Sequence, residues 1–175
     1  MKPIIYHKYS SSGDLELHDI DEPVVKDGEV LKRLAYLGPL VASLPLHFLW
    51  KPLRFFPDWW IGPAVGLPLV MVGVLLLAWA IRTMFRAGED PDPERPTTAI
   101  VANGPYALSR NPIYVSFNAV YVGIALLVNT VWPIIFLPIG IALLHYRVIA
   151  REESYLERVI GDEYRQYKAR VRRWV

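Results

Sequence analysis

The chain has 175 residues, 53% of them apolar and 21% charged, with a formal net charge of +2. That length fits one domain with at most an appendage. It contains no cysteine, which excludes disulfides, thiol catalysis and cysteine-ligated zinc. The histidines His7, His18, His47 and His145 are scattered without metal-ligand spacing, so no metal is an expected partner, and no nucleic acid is expected either.

Residues 1–33 are polar and mixed, unlike a cleavable leader, and alternate in short β-like runs broken by SSSGD, DEP and KDG turns. This segment is expected to form a small β-hairpin-like appendage or a weakly ordered tail left by a gene fusion. Its pattern of MK-I-Y, LEL-DI and GEVL-R resembles the opening strands of medium-chain zinc alcohol dehydrogenases and quinone oxidoreductases. The likeness stops near Arg33, and that family's catalytic cysteine and nucleotide-binding glycines have no counterpart here, so no dehydrogenase activity is implied.

Residues 34–175 read as a membrane-embedded domain. From Trp60 to Ala80 and from Pro112 to Leu144 no residue is charged, and uncharged apolar runs of about 18 or more residues mark membrane spans. Four spans are expected: 34–50, interrupted by Pro39 and Pro45; 60–82; 112–128; and 131–149. The uncharged NTVWP linker forces the last two into an antiparallel hairpin, with Pro133 in the first turn of the returning helix. The polar segments hold five Lys and Arg in 1–33, two in 51–59, four in 82–110 and eight in 147–175. With four spans, 17 of the 19 positive charges share one side, which places both termini and the 83–111 loop in the cytoplasm. In the tail, 150–175, Gly161 is expected to end one helix and Asp162 to start another. Tyr164, Tyr167, Val171 and Trp174 then form the apolar face of an amphipathic helix resting on lipid headgroups. The fold class is therefore an all-α integral membrane protein with C-terminal amphipathic helices.

Two polar clusters flank the apolar hairpin. In SRNPIY (109–114), Asn111 suits a helix cap and Pro112 the first helical position. That is a plain helix start, and also one ready to receive an anion beside Arg110. In REESYLE (151–157), Glu152 and Glu153 project about 100° apart on a helix, with Arg147 and Arg151 one turn apart. Here a solvated charged turn competes with a carboxylate for ribose hydroxyls or a cation, and an arginine for an anionic substrate.

The order FRAGEDPDPERPTTAIVANGPYALSRNPIY, apolar hairpin, EESYLERVIGDEYRQYKARV resembles the isoprenylcysteine carboxyl methyltransferase and phospholipid methyltransferase superfamily, especially its small prokaryotic members, over about residues 60–175. The resemblance implies a membrane enzyme using S-adenosylmethionine. By the family pattern the cofactor is held by Thr98, Ala99, Ile100, Val101, Tyr106, Asn111, Pro112, Ile113, Tyr114 and Glu152. Eukaryotic members carry histidine where this chain has Asn111. The substrate-orienting arginine aligns with Arg147 or Arg151, while the position in register is Val148. Arg110, Arg147, Arg151 and Glu153 are accordingly the candidate catalytic residues.

A carboxylate acceptor needs no general base, so alignment and fixed charges can carry the methyl transfer. The expected reaction is carboxyl O-methylation of an isoprenylcysteine-like or related lipophilic substrate taken from the bilayer. N-methylation of a phospholipid amine is the chemical rival, with the acidic residues then mattering most. A membrane isoprenoid- or sterol-type reductase and a non-catalytic membrane partner are the rivals of other classes.

Overall fold

The computed structural model describes residues 25–50, 53–90 and 99–175, and among these it is helical, with no strand. Helix α1 (Val25–Pro45) continues as a π-helical turn, Leu46–Trp50. It starts at Val25 rather than 34, so residues 25–33 are helix where short strands were expected. Leu31 and Ala35, four apart, both pack into the core, and this tertiary contact extends the helix backward over weak local preferences. Pro39 is accommodated inside α1 rather than interrupting it. The rest of the expected β-like appendage, 1–24, lies outside the described residues.

Helix α2 (Ile61–Arg86) has 26 residues, about 39 Å at 1.5 Å per residue. It packs closely on α3 (Pro112–Leu127). Gly62, Gly66 and Gly73 of α2 and Gly123 of α3 are buried and make this approach possible. A Cβ on Gly66 would lie 2.6 Å from both the Gly123 carbonyl oxygen and the Leu127 nitrogen. Backbones this close replace a hydrophobic driving force with direct van der Waals contact, as helices in lipid require. Gly140 likewise leaves no room for a side chain against the Ala35 carbonyl oxygen, where α4 meets α1.

The α3–α4 connection turns on Asn129, whose φ of +52° is in the left-handed region that asparagine tolerates better than most residues. Its carboxamide accepts from the backbone N–H of Phe55 and Phe56 at 3.0 and 3.1 Å and donates to the Phe56 carbonyl at 2.9 Å. One side chain thus ties the hairpin tip to the segment leading into α2. The returning helix α4 (Trp132–Leu143) runs through a π-helical stretch, Leu144–Ile149, into α5 (Ala150–Ile160). Gly161, at φ +70°, ends it, and α6 (Asp162–Arg170) follows, as the sequence predicts.

Among the described residues, two helical runs are long and apolar enough to cross a membrane, Ile61–Arg86 and Trp132–Ile160. A soluble core helix of that composition would be mostly enclosed, but only 17% of the most apolar stretch of α2 and 28% of that in the second run is buried. Leu67, Met71, Leu75 and Trp79 of α2 and Ile135 and Ile139 of α4 all face outward. The chain is a membrane protein. Helix α3, at 16 residues, is about 24 Å long, short of a hydrocarbon core about 30 Å thick. The four-span layout therefore stays a proposal for α1 and α3.

Candidate functional site

The two polar clusters meet. Tyr114, in the first turn of α3, donates its hydroxyl hydrogen to Glu152 of α5, with Oε1 at 3.0 Å and Oε2 at 3.3 Å. Lys32 of α1 approaches the same carboxylate, its Nζ 3.2 Å from Oε1 and 5.7 Å from the centre of the Tyr114 ring. Tyr114 is buried beside Ala35, Leu144, Val148 and Ile149, so its ring is held firmly. α1, α3 and α5 thus converge on one carboxylate.

Glu153 faces the other way, into the protein. Arg173 forks onto it, Nε to Oε1 at 2.8 Å and Nη2 to Oε2 at 2.5 Å, and Arg110 Nη1 stands 3.0 Å from Oε1. The Glu153 side chain is 7% exposed and that of Arg110 9%. Ionised hydrogen bonds of this forked kind are the strong ones, and the Glu153 partnership raises the Arg173 pKa. Arg173 also lies 2.8 Å from His145 Nε2. A guanidinium has only donors, so that ring nitrogen is the acceptor of the contact.

The same arginine brings the C-terminal tail across the start of α3. Arg110 N–H donates to the Arg172 carbonyl at 2.9 Å, while Asn111 Nδ2 and the Ser109 hydroxyl donate to the Arg173 carbonyl at 3.0 and 3.3 Å. Trp174 packs against the core cluster that includes Tyr114. Asn111 was expected to cap α3. Its side chain makes no capping bond and is spent on the tail instead, and the backbone N–H of Asn111 goes to Ser109 Oγ at 3.1 Å.

α6 departs from expectation in the same way. Its Tyr164 and Tyr167 do not rest on headgroups but are buried against protein, with the Tyr167 hydroxyl donating to the Tyr106 carbonyl at 2.7 Å. Burial pushes the Tyr164 hydroxyl up to about 12, helped by the nearby Glu153 charge, and Tyr167 to about 12. The Tyr106 hydroxyl is also pushed up by burial and, unlike Tyr167, has no hydrogen-bond partner among the described residues. Arg110 Nε and Nη1 are likewise buried without a hydrogen bond among the described residues, Nη1 being held instead in the ion pair with Glu153.

Of the residues singled out from sequence, Tyr106, Arg110, Asn111, Pro112, Tyr114, Glu152 and Glu153 belong to this connected region. Ile113 sits in the first turn of α3 and its carbonyl accepts from Ser116 at 2.6 Å. Ala99 opens the second described part of the loop after α2, its N–H bonded to Glu89 Oε1 at 2.8 Å, with Ile100 and Val101 half-buried. Thr98 lies outside the described residues. Arg147 and Arg151 are exposed and take no part in the cluster, and Val148, in register with the family arginine, is core.

Sequence reasoning missed Lys32, because that segment read as an appendage. It also missed Arg173 and His145, whose roles depend on the tail folding back. The adjacent glutamates did give one signal: neighbours about 100° apart on a helix cannot share a face, so one needed a buried cation.

A model of the phospholipid methyltransferase family matches residues 61–163, more than half of the chain. Over 27 residues, 15% of this chain, the sequence is 70% identical to a Haemophilus influenzae protein described as uncharacterized. The match takes in 43% of that curated relative, so the chain spans less than half of its length. No solved structure matches the chain significantly. With its outward-facing apolar helices and a matched region running from the first residue of α2 into α6, the chain belongs to the phospholipid methyltransferase family of membrane methyltransferases.

Proposed function

We propose that the protein transfers a methyl group from S-adenosylmethionine to an amine-bearing membrane lipid. The observation that carries this reading is the Tyr114–Glu152 contact at 3.0 Å, which joins the starts of α3 and α5 at one point beside a membrane-facing bundle. The residues there suit the cofactor's separate chemical groups. A carboxylate beside an aromatic face suits a sulfonium. The buried Arg110 Nε–H, without a hydrogen-bond partner among the described residues, suits a carboxylate, and the Tyr106 hydroxyl, likewise without one, suits a ribose or adenine heteroatom. When bound, the cofactor supplies an electrophilic methyl group on sulfur.

The chain's own contribution is positioning and charge. The Tyr114 ring and Glu152 hold a cationic centre, and the core behind Tyr114 excludes water from that side. Glu152, 39% exposed, is accessible enough to take the proton that an acceptor nitrogen loses on methylation. The amine reading gains over the carboxyl reading because Arg147 and Arg151, which would orient a carboxylate acceptor, stand outside the cluster. Carboxyl O-methylation keeps one observation in its favour, the buried Arg110 Nε–H, which has no hydrogen-bond partner among the described residues. On this account the active site faces the cytoplasm, the cofactor comes from that side and the lipid enters laterally.

The test uses protein in nanodiscs with methyl-labelled S-adenosylmethionine, a phosphatidylethanolamine-containing lipid extract and a prenylcysteine. Base-stable label in lipid is the expected result. Base-labile label released as methanol would select the carboxyl reading, and no incorporation with either acceptor would overturn both.

A further inference from the structure

We propose that Lys32 occupies a seat built for a methylated onium cation, and that the ligand binds by displacing it. The inference rests on the methyltransferase reading of the site. A seat for such a cation needs an aromatic face and a nearby negative charge, and Tyr114 and Glu152 provide both. Tyr114 is fixed in the core and its hydroxyl orients Glu152. What stands against them is an ammonium from another helix, 3.2 Å from the carboxylate and 5.7 Å from the ring centre.

Two features make Lys32 an occupant that can leave rather than a structural lock. Its partner Glu152 is 39% exposed, so water reaches the carboxylate end of the pair and can take the place of the ammonium there. The neighbouring Glu153, 7% exposed and forked by Arg173, shows what a permanent pair looks like in this fold. A lysine stem is also flexible along four carbons, so the ammonium can swing out to water without moving α1. Helix α1 lies outside the matched family region, which begins at residue 61. The competing charge is thus supplied from beyond the segment that carries the shared motifs.

An onium ion could come from two sources, the sulfonium of the cofactor or the quaternary ammonium of a lipid headgroup. Calorimetry in phosphatidylglycerol nanodiscs separates them, using S-adenosylmethionine, its uncharged thioether S-adenosylhomocysteine, and phosphocholine. Lys32→Met should raise the preference for the sulfonium over the thioether by about 5-fold. Lys32→Arg should leave that preference near wild type, and Glu152→Gln should lower it. If Lys32→Met instead tightens phosphocholine and leaves the ratio alone, the seat takes the headgroup and the displacement proposal still holds.

Parallel changes in both nucleoside ligands with no change for phosphocholine would overturn it, because a merely structural lysine cannot discriminate charge. A wild-type protein that binds neither nucleoside would overturn the methyltransferase reading instead. The phosphocholine arm then decides the seat alone, and no response there to Lys32→Met overturns the proposal.

Discussion

Glu153→Gln isolates the buried charge network from everything else at the site. The glutamate is 7% exposed and receives two hydrogen bonds from Arg173, with Arg110 a further cation 3.0 Å away. Glutamine keeps the shape but removes the charge and turns one acceptor into an NH2 group that faces donors. Breaking a buried pair by removing one partner costs about 3–5 kcal/mol, chiefly from the charge left behind. Arg173 is 26% exposed and can partly rehydrate, whereas Arg110 at 9% cannot. The lower end, about 3 kcal/mol, is therefore expected. For a chain of this size that corresponds to a Tm lower by roughly 6–12 °C.

The assay is thermal unfolding in nanodiscs, followed by tryptophan fluorescence because Trp174 lies on the released segment. Trypsin sensitivity at Arg172 and Arg173 should rise in parallel. Arg173→Gln should cost less, and the double variant should be less destabilised than the sum of the two, since the residues share one interaction. A Glu153→Gln Tm equal to wild type, or strict additivity with Arg173→Gln, would refute the reasoning.

Further outcomes follow from other parts of the fold. Gly66→Ala forces a methyl group to within 2.6 Å of two backbone atoms of α3. It should cost about 1–3 kcal/mol by overpacking, and an unchanged unfolding midpoint would show that α2 and α3 are not so tightly joined. Asn129→Gly keeps the left-handed backbone but loses three hydrogen bonds. At about 0.5–1.5 kcal/mol each, it should be clearly destabilised, and Asn129→Ala more so because of φ; equal stability of the two variants would contradict the backbone argument.

In alkali, the buried tyrosines of α6 set the direction of the effect. Their folded pKa values, about 12, lie above the ordinary 10.0. The stability they contribute is therefore complete below pH 10 and lost as the pH rises from 10 to about 12, where the unfolded chain ionises first. Unfolding midpoints followed with tyrosinate absorbance should fall across that window, less steeply in Tyr164→Phe. A flat profile would contradict the burial of Tyr164.

Hydrophobic runs made much of this architecture legible. The uncharged stretches located α2, α3 and α4 within a few residues, and Gly161 and Asp162 marked the α5–α6 break because a positive φ favours glycine. Local pattern failed where long-range contacts decide. Residues 25–33 carry strand-like alternation, yet the packing of Leu31 and Ala35 makes them helical. Asn111 and Pro112 read correctly as a helix start. Nothing in SRNPIY, however, reveals that the asparagine side chain would be taken by a carbonyl 62 positions later. The pairing of Tyr114 with Glu152 was accessible only through the order of motifs along the chain. The lysine that completes it sits in a segment whose pattern pointed elsewhere.

The proposed function requires S-adenosylmethionine to bind at the Tyr114–Glu152 junction. The most direct measurement is the equilibrium Kd of S-adenosylmethionine for wild type, Glu152→Gln and Tyr106→Phe in nanodiscs, with Arg151→Ala as the comparison outside the cluster. Saturable binding by wild type, weakened about 10-fold or more in Glu152→Gln and less in Tyr106→Phe, with Arg151→Ala close to wild type, is the predicted result. Equal affinity in wild type and Glu152→Gln, or no binding by wild type at all, would contradict it.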